Sequence, residues 1–238
     1  MGLTAKRLGN LLARWQARGK DLPSFVRRNL KALEHIDPRK PAEEYSYVIV
    51  DLETTGLDLE KDRVVSVGAV RMREGRVVLG EVFHELVNPG RSISPEAIKV
   101  HGITPDMIAR ARRPSVVLED FLGFLGTDIL VAHYAAFDMH FVNRLMRARY
   151  GFPLQNLVLD TVLMCQGILL PSDPYGVRQG RAACRLEALA ARFEIDLPER
   201  HSALGDALIT ALVFQRILAK LRRLGRANLG ELIRVAML

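Results

Sequence analysis

Three stretches rich in valine and other β-branched or aromatic residues succeed one another between residues 45 and 87. A chain with that pattern has to begin its core as a sheet. Residues 45–51 form a short apolar run ending on a carboxylate, Asp51, as a buried strand would. Residues 63–73 predict a second strand, Glu74-Gly75 a hairpin turn, and residues 77–87 a third strand. Beyond them helices and strands alternate. Residues 95–101 suggest a short helix, 115–125 a helix opened by Pro114, 129–132 a strand, and 137–150 an amphipathic helix. Residues 157–159 suggest a brief strand and 186–193 a helix. Residues 204–224 suggest a long helix with Leu208, Leu212, Phe214, Ile217, Leu218 and Leu221 among its apolar positions. Together they predict an α/β fold: a mixed sheet, three antiparallel strands followed by parallel ones, flanked by helices.

The two ends read differently. Residues 5–35 predict one or two short helices broken between Gly19 and Pro23, and residues 37–44, with Pro38 and Pro41, a linker. The expected division is a basic helical extension and linker over 1–44, a catalytic body over 45–224 and a helical tail over 225–238. The net charge of +7 is +5 over residues 1–44, −3 over 45–214 and +5 over 215–238. Two basic flanks on an acidic body attract phosphate, or are solvated helix faces, the reading that charge alone favours. With 49% hydrophobic and 26% charged residues, the composition excludes a disordered or collagen-like chain. No apolar run reaches the ~18 residues of a membrane span. The two cysteines, Cys165 and Cys184, are too few for a disulfide framework and point to a reducing, cytoplasmic setting. Near the start, Lys6, Arg7, Arg14 and Arg18 interleave with Leu8, Leu11, Leu12 and Trp15, which interrupts any secretory signal. An amphipathic helix packed on the body is expected there, ahead of a transit peptide or a helix lying on a membrane surface.

The chemistry-bearing residues are acids. Asp51 and Glu53 stand two apart at the end of a strand, so both project from one face, where they repel unless a cation or proton lies between them. Thr54-Thr55-Gly56 adds hydroxyls and a permissive turn that suits a phosphate or sugar edge. Asp138 and Asp206 lie near the starts of two later helices, where the helix dipole alone also accounts for an acid. His201 precedes Asp206 by five residues, and Glu96 and His101 form a further polar pair. Each feature is weak in isolation. Four acids on three segments offer hard oxygen ligands, which suit Mg²⁺ or Mn²⁺ rather than Zn²⁺, and their convergence would be prohibitive without cations.

In order, Asp51-Leu52-Glu53-Thr54-Thr55-Gly56, then Val131-Ala132-His133 with Phe137-Asp138, then His201-Ser202-Ala203-Leu204-Gly205-Asp206 resemble the three motifs of the DEDDh 3′–5′ exonucleases. The likeness is greatest to the proofreading (epsilon) subunits of bacterial DNA polymerase III. It covers roughly residues 47–218, and the segment from Pro95 through His101 to Thr104 resembles the stretch between that family's first two motifs. Tyr134 stands where the family often carries Asn.

The resemblance implies a ribonuclease H-like fold with two Mg²⁺ ions, replaceable by Mn²⁺, held by Asp51, Glu53, Asp138 and Asp206. It implies His201 as general base, a role suited to an imidazole of ordinary pKa about 6.5. Thr54, Thr55, Glu96 and His101 would hold the terminal nucleotide, Glu96 by accepting from the 3′-hydroxyl. The substrate implied is a single-stranded or frayed 3′ end, DNA rather than RNA, shortened by one nucleoside 5′-monophosphate at a time. Residues 171–184, with Arg178 and Arg181, suggest a mobile loop along the strand's path or a plain solvent loop. The basic extension suggests a polymerase or other protein partner, or a phosphate track. An RNA-trimming or oligonucleotide-degrading nuclease is the alternative, and a non-catalytic nucleic-acid-binding adaptor a more distant one.

Overall fold

The computed structural model describes residues 2–170, 181–195 and 201–238. The chain opens with helices α1 (Leu3–Gln16) and α2 (Ser24–Leu30). Strands β1 (Tyr47–Thr54), β2 (Val64–Arg73) and β3 (Arg76–Leu86) then form an antiparallel meander. Its second turn places Glu74 and Gly75 at φ of 50° and 70°, as a tight two-residue hairpin requires. Helices α3 (Pro95–His101), α4 (Pro105–Ile108) and α5 (Pro114–Leu125) follow, each with proline in its first turn, where the missing N–H costs no hydrogen bond. Strand β4 (Ile129–Ala132), helix α6 (Ala135–Tyr150) and strand β5 (Val158–Asp160) add the parallel part of the sheet. Helix α7 (Thr161–Met164) continues into a π-helical turn, Cys165–Leu169. Helices α8 (Leu186–Arg192), α9 (Ala203–Arg223) and α10 (Leu229–Ala236) complete the described elements. The strand order is β3-β2-β1-β4-β5. This is the mixed, helix-flanked sheet that the sequence pattern predicts.

Side-chain alternation divides the core into two halves, one on each face of the sheet. Tyr47 and Ile49 of β1 join Met72, Val131 and Leu159 in one cluster with Phe214, Ile217 and Leu221 of α9. Val48, Val50 and Leu52 join Ala69, Leu130 and Ala132 in the other, against α5 and α6. The period of two therefore carries the odd-numbered residues of β1, including Asp51 and Glu53, onto the face covered by α9.

Gly68 allows α9 to lie close on that face. It pairs with Asp51 across the β1–β2 ladder. A Cβ there would stand 2.1 Å from the Ala203 carbonyl carbon and 2.2 Å from the Leu204 nitrogen. Only glycine lets the first turn of α9 pass so near the strand. Ser202 caps that turn by accepting from the Gly205 N–H at 3.1 Å.

The extension is built into the body. Val26 and Leu30 are buried in one cluster, Leu33 and Ile36 in the other. Asn10 donates to the Leu30 carbonyl and to Gln155 Oε1, both at 3.0 Å, and Asn29 bonds Asn156. Residues 37–44, predicted as a linker, are pinned by the C-terminal segment. The Ala42 N–H donates to the Ala227 carbonyl at 2.7 Å, and the Gly230 N–H to the Pro38 carbonyl at 2.7 Å. Cys165 and Cys184 form a disulfide, so the cysteine count does not carry the expectation of a reducing setting. Arg181–Cys184 form a short 3₁₀ turn, and the remainder of the loop expected over 171–184 lies outside the described residues. Among the described residues no helix is long and apolar enough to cross a membrane.

Candidate active site

The C-terminal end of β1 opens into a cleft of about 680 Å³. Asp51, Glu53, Thr54, Leu57, Val100, His133, Tyr134, Phe137, Asp138, Arg185, Glu187, His201 and Asp206 are among the residues lining it. Each acid arrives by a different local route. Asp51 and Glu53 continue the α9-facing side of β1, and a register shift between Glu53 and Thr54 re-aims the strand where it leaves the ladder. Asp206 comes from the first turn of α9. Asp138 comes from the first turn of α6, over the strand end, where the Leu52 N–H donates to it.

Asp51, Glu53 and Asp206 each offer a carboxylate oxygen lying within 4.8 Å of the others'. The electrostatics follow. Burial raises the Asp51 pKa well above the usual carboxylate range, with Asp138, Glu53 and Asp206 adding to the rise. Burial and then Asp206 push Glu53 up to about 7. Burial raises Asp138 as well, against the opposing pull of the backbone N–H groups of Asp138 and Leu52. A cluster that takes up protons when empty, and whose donors are all hard oxygens, fits a divalent cation.

His201 stands exposed on the cleft wall at φ 60°, immediately before the cap of α9. Thr54 lines the cleft while its hydroxyl donates to the Gly56 carbonyl at 2.6 Å. The Thr55 hydroxyl turns away, donating to Asp62 Oδ1 at 2.7 Å and accepting from the Arg63 N–H at 3.1 Å. His101 is committed inward at both ring nitrogens. Its Nδ1 accepts from the Ile103 N–H at 3.0 Å, which leaves Nε2 to donate to the Thr54 carbonyl at 3.2 Å. Burial lowers its pKa, so the ring braces β1 against α3 in the neutral form. Glu96 is exposed on α3, one turn before Val100, which does line the cleft. Asp51, Glu53, Asp138, Asp206, His201 and Thr54 therefore meet at one cleft, whereas Thr55 and His101 support it from behind.

Several contributors carried no assigned role in the sequence. Asp160 is buried and accepts from the Ala135 N–H at 3.0 Å and the Val162 N–H at 2.7 Å, fixing the start of α6 and hence Asp138. Tyr134 caps α6 at φ 59°, a left-handed conformation that Asn adopts more readily, and its ring meets His133 edge-on at 4.9 Å. His133 Nδ1 lies 2.8 Å from the Thr161 hydroxyl, and burial lowers this imidazole to about 4. Leu57, 83% exposed, offers an apolar tip at the rim. A leucine immediately after Thr-Thr-Gly is all that the sequence offers for that last residue.

The model of the Exonuclease (RNase_T) family matches residues 48–214. A DNA polymerase III subunit epsilon-like protein of Rhodobacter capsulatus is 40% identical over 196 residues, covering 81% of this chain and 26% of the relative. A DNA polymerase III of PolC type from Thermotoga petrophila is 32% identical over 190 residues, covering 80% of this chain and 13% of the relative. The chain thus spans about a quarter or less of these relatives' lengths. Among solved structures, exonuclease X in complex with 5′ overhanging duplex DNA superposes with a TM-score of 0.55 at 25% identity. That match covers 79% of this chain and 99% of that one.

Proposed function

We propose that this chain, which belongs to the Exonuclease (RNase_T) family, is a 3′–5′ exonuclease that trims unpaired 3′ ends of DNA in proofreading or repair. The observation that carries the reading is the approach of Asp51, Glu53 and Asp206 within 4.8 Å in one open cleft, with Asp138 buried beside Asp51. Asp51, Glu53, Asp138 and Asp206 would hold two Mg²⁺ ions, or Mn²⁺ in their place. Such ions, when bound, offset the acids' charge and polarise both water and the scissile phosphate. His201 takes the proton from the attacking water, and its exposure on the cleft wall leaves the imidazole free to pass that proton on to solvent. Leu57, Val100, Tyr134 and Phe137 give an unpaired base an apolar and aromatic wall to lie on, which a paired base cannot reach. Arg185 supplies a cation for the backbone phosphate. Thr54 and the exposed Glu96 of α3 hold the terminal nucleotide, with Thr55 and His101 keeping the strand end in place behind them. The product of each cycle is a nucleoside 5′-monophosphate.

DNA is preferred over RNA in this reading because the relatives are DNA polymerase III proteins and exonuclease X is seen with DNA. The same relatives support a cytoplasmic setting and a polymerase-type protein partner. We assign catalysis to residues 45–224, with 1–44 and 225–238 as flanking segments. Matched DNA and RNA oligonucleotides labelled at the 5′ end and incubated with Mg²⁺ test the proposal. A ladder descending from the 3′ end of DNA, faster than from RNA and absent for Asp51→Ala, is expected. Faster RNA digestion would transfer the chain to the RNA-trimming class.

A further inference from the structure

Helix α1 is mounted the wrong way round for a helix that only packs on its own body. An amphipathic helix ordinarily turns its apolar stripe to the core. Here only Asn10 and Ala13 are fully buried, Ala13 and Leu3 make the apolar contacts with the core, and the remaining attachments are polar. Asn10 donates to Leu30 and Gln155, Arg7 to the Ile36 carbonyl at 2.7 Å, and Lys6 to the Leu154 carbonyl at 3.4 Å. The apolar stripe faces solvent: Leu8, Leu11, Leu12 and Trp15 are 68%, 61%, 57% and 65% exposed. Their spacing of three, one and three residues puts them on one face, along a helix about 21 Å long. Arg7, Arg14 and Arg18 recur along one edge of that stripe. Next to it a groove of about 230 Å³ is lined by Arg14, Arg18, Lys20, Arg27 and Lys31. Residues 2–31 carry eight Lys/Arg against one acid, Asp21.

We propose that α1 docks this molecule on an anionic lipid surface, its leucines and Trp15 entering the headgroup boundary while the adjoining cations meet lipid phosphates. A row of leucines and one tryptophan edged by cations, among which Glu34 pairs only Arg14, is what an interface-lying helix presents to such a surface. Charge argues against a second copy, because pairing two such faces would bring two strongly cationic regions together. A nucleic-acid strand would satisfy the cations and leave three leucines wet, since aliphatic side chains offer bases no stacking face.

Trp15 is the only tryptophan, so fluorescence of the full chain reports on this face alone. The probes are vesicles of phosphatidylglycerol and phosphatidylcholine in equal parts, vesicles of phosphatidylcholine alone, and a dT oligonucleotide without lipid. The expected result is a blue shift and co-flotation with the anionic vesicles, roughly tenfold or more weaker with the neutral ones. Leu8→Glu/Leu12→Glu should abolish flotation, and Arg18→Glu/Lys31→Glu should remove the anionic preference. Both variants change exposed residues remote from the cleft, so oligonucleotide digestion should be retained and shows that the protein is folded. No shift with anionic vesicles, equal binding to neutral ones, or flotation kept by Leu8→Glu/Leu12→Glu overturns the proposal. A shift produced by the oligonucleotide alone would assign the face to a strand track. A concentration-dependent shift without lipid would assign it to self-association. Either result also overturns the proposal.

Discussion

Glu53 carries the titration that reports most directly on the site. Burial and Asp206 hold its folded pKa near 7, above the ordinary Glu value. Between the unfolded and folded values the native state binds more protons than the unfolded one, so this group's contribution to stability falls as pH rises through that window. In chelator, Glu53→Gln should therefore gain stability over the parent as pH goes from 5 to 8. Melting temperatures measured side by side check this, and a parent that gains relative to the variant refutes it. His201→Ala should lower kcat by about 10²–10⁴-fold, the usual contribution of a general base, with an unchanged melting temperature because the side chain is exposed. Single-turnover digestion of a dT oligonucleotide measures it, and a loss below tenfold would remove the base from the mechanism. The acids and His201 stood out in the sequence because three motifs in order resemble those of the exonucleases, each feature being weak by itself. The roles of Thr55 and His101 did not, because a motif says nothing about which way a hydroxyl or imidazole turns. Only the fold supplies Asp62 and the Ile103 N–H as competing partners.

The approach of α9 to β2 is the element-scale feature on which the site depends. Gly68→Ala would force the first turn of α9, and Asp206 with it, off the strand, at a cost of about 1–3 kcal/mol typical of overpacking. Digestion should fall with stability. Gly80→Ala, on β3 where an added Cβ meets nothing within 4 Å, should change neither. Denaturant titration and digestion rates for both variants decide this, and a fully active, stable Gly68→Ala protein would refute it. The strands were readable because alternation and valine content are strong local signals, although β1 runs on past Asp51 through Glu53 to Thr54. Helix α4 and the stretch from Thr161 to Leu169 were not readable. Each is a turn or two long, too short to show a period, and α7 is started by the Asp160 side chain rather than by its own apolar pattern.

At the scale of the whole molecule, the extension shares both core clusters with the body, and the segment before β1 is laced to the one before α10. Composition suggested a separable flank, because prolines and charge mark a boundary but cannot reveal long-range hydrogen bonds. The acid cluster makes stability depend on the cation. Mg²⁺ should raise the melting temperature more at pH 8 than at pH 5, since binding requires deprotonated carboxylates and burial raises the pKa of Asp51, Glu53 and Asp138. Differential scanning at the two pH values measures it, and a larger rise at pH 5 would contradict it. The most direct test is a crystal of the protein soaked in Mn²⁺ and measured for anomalous scattering. The account predicts manganese peaks among the carboxylates of Asp51, Glu53, Asp138 and Asp206. Manganese bound only elsewhere, with that cluster empty, would contradict it.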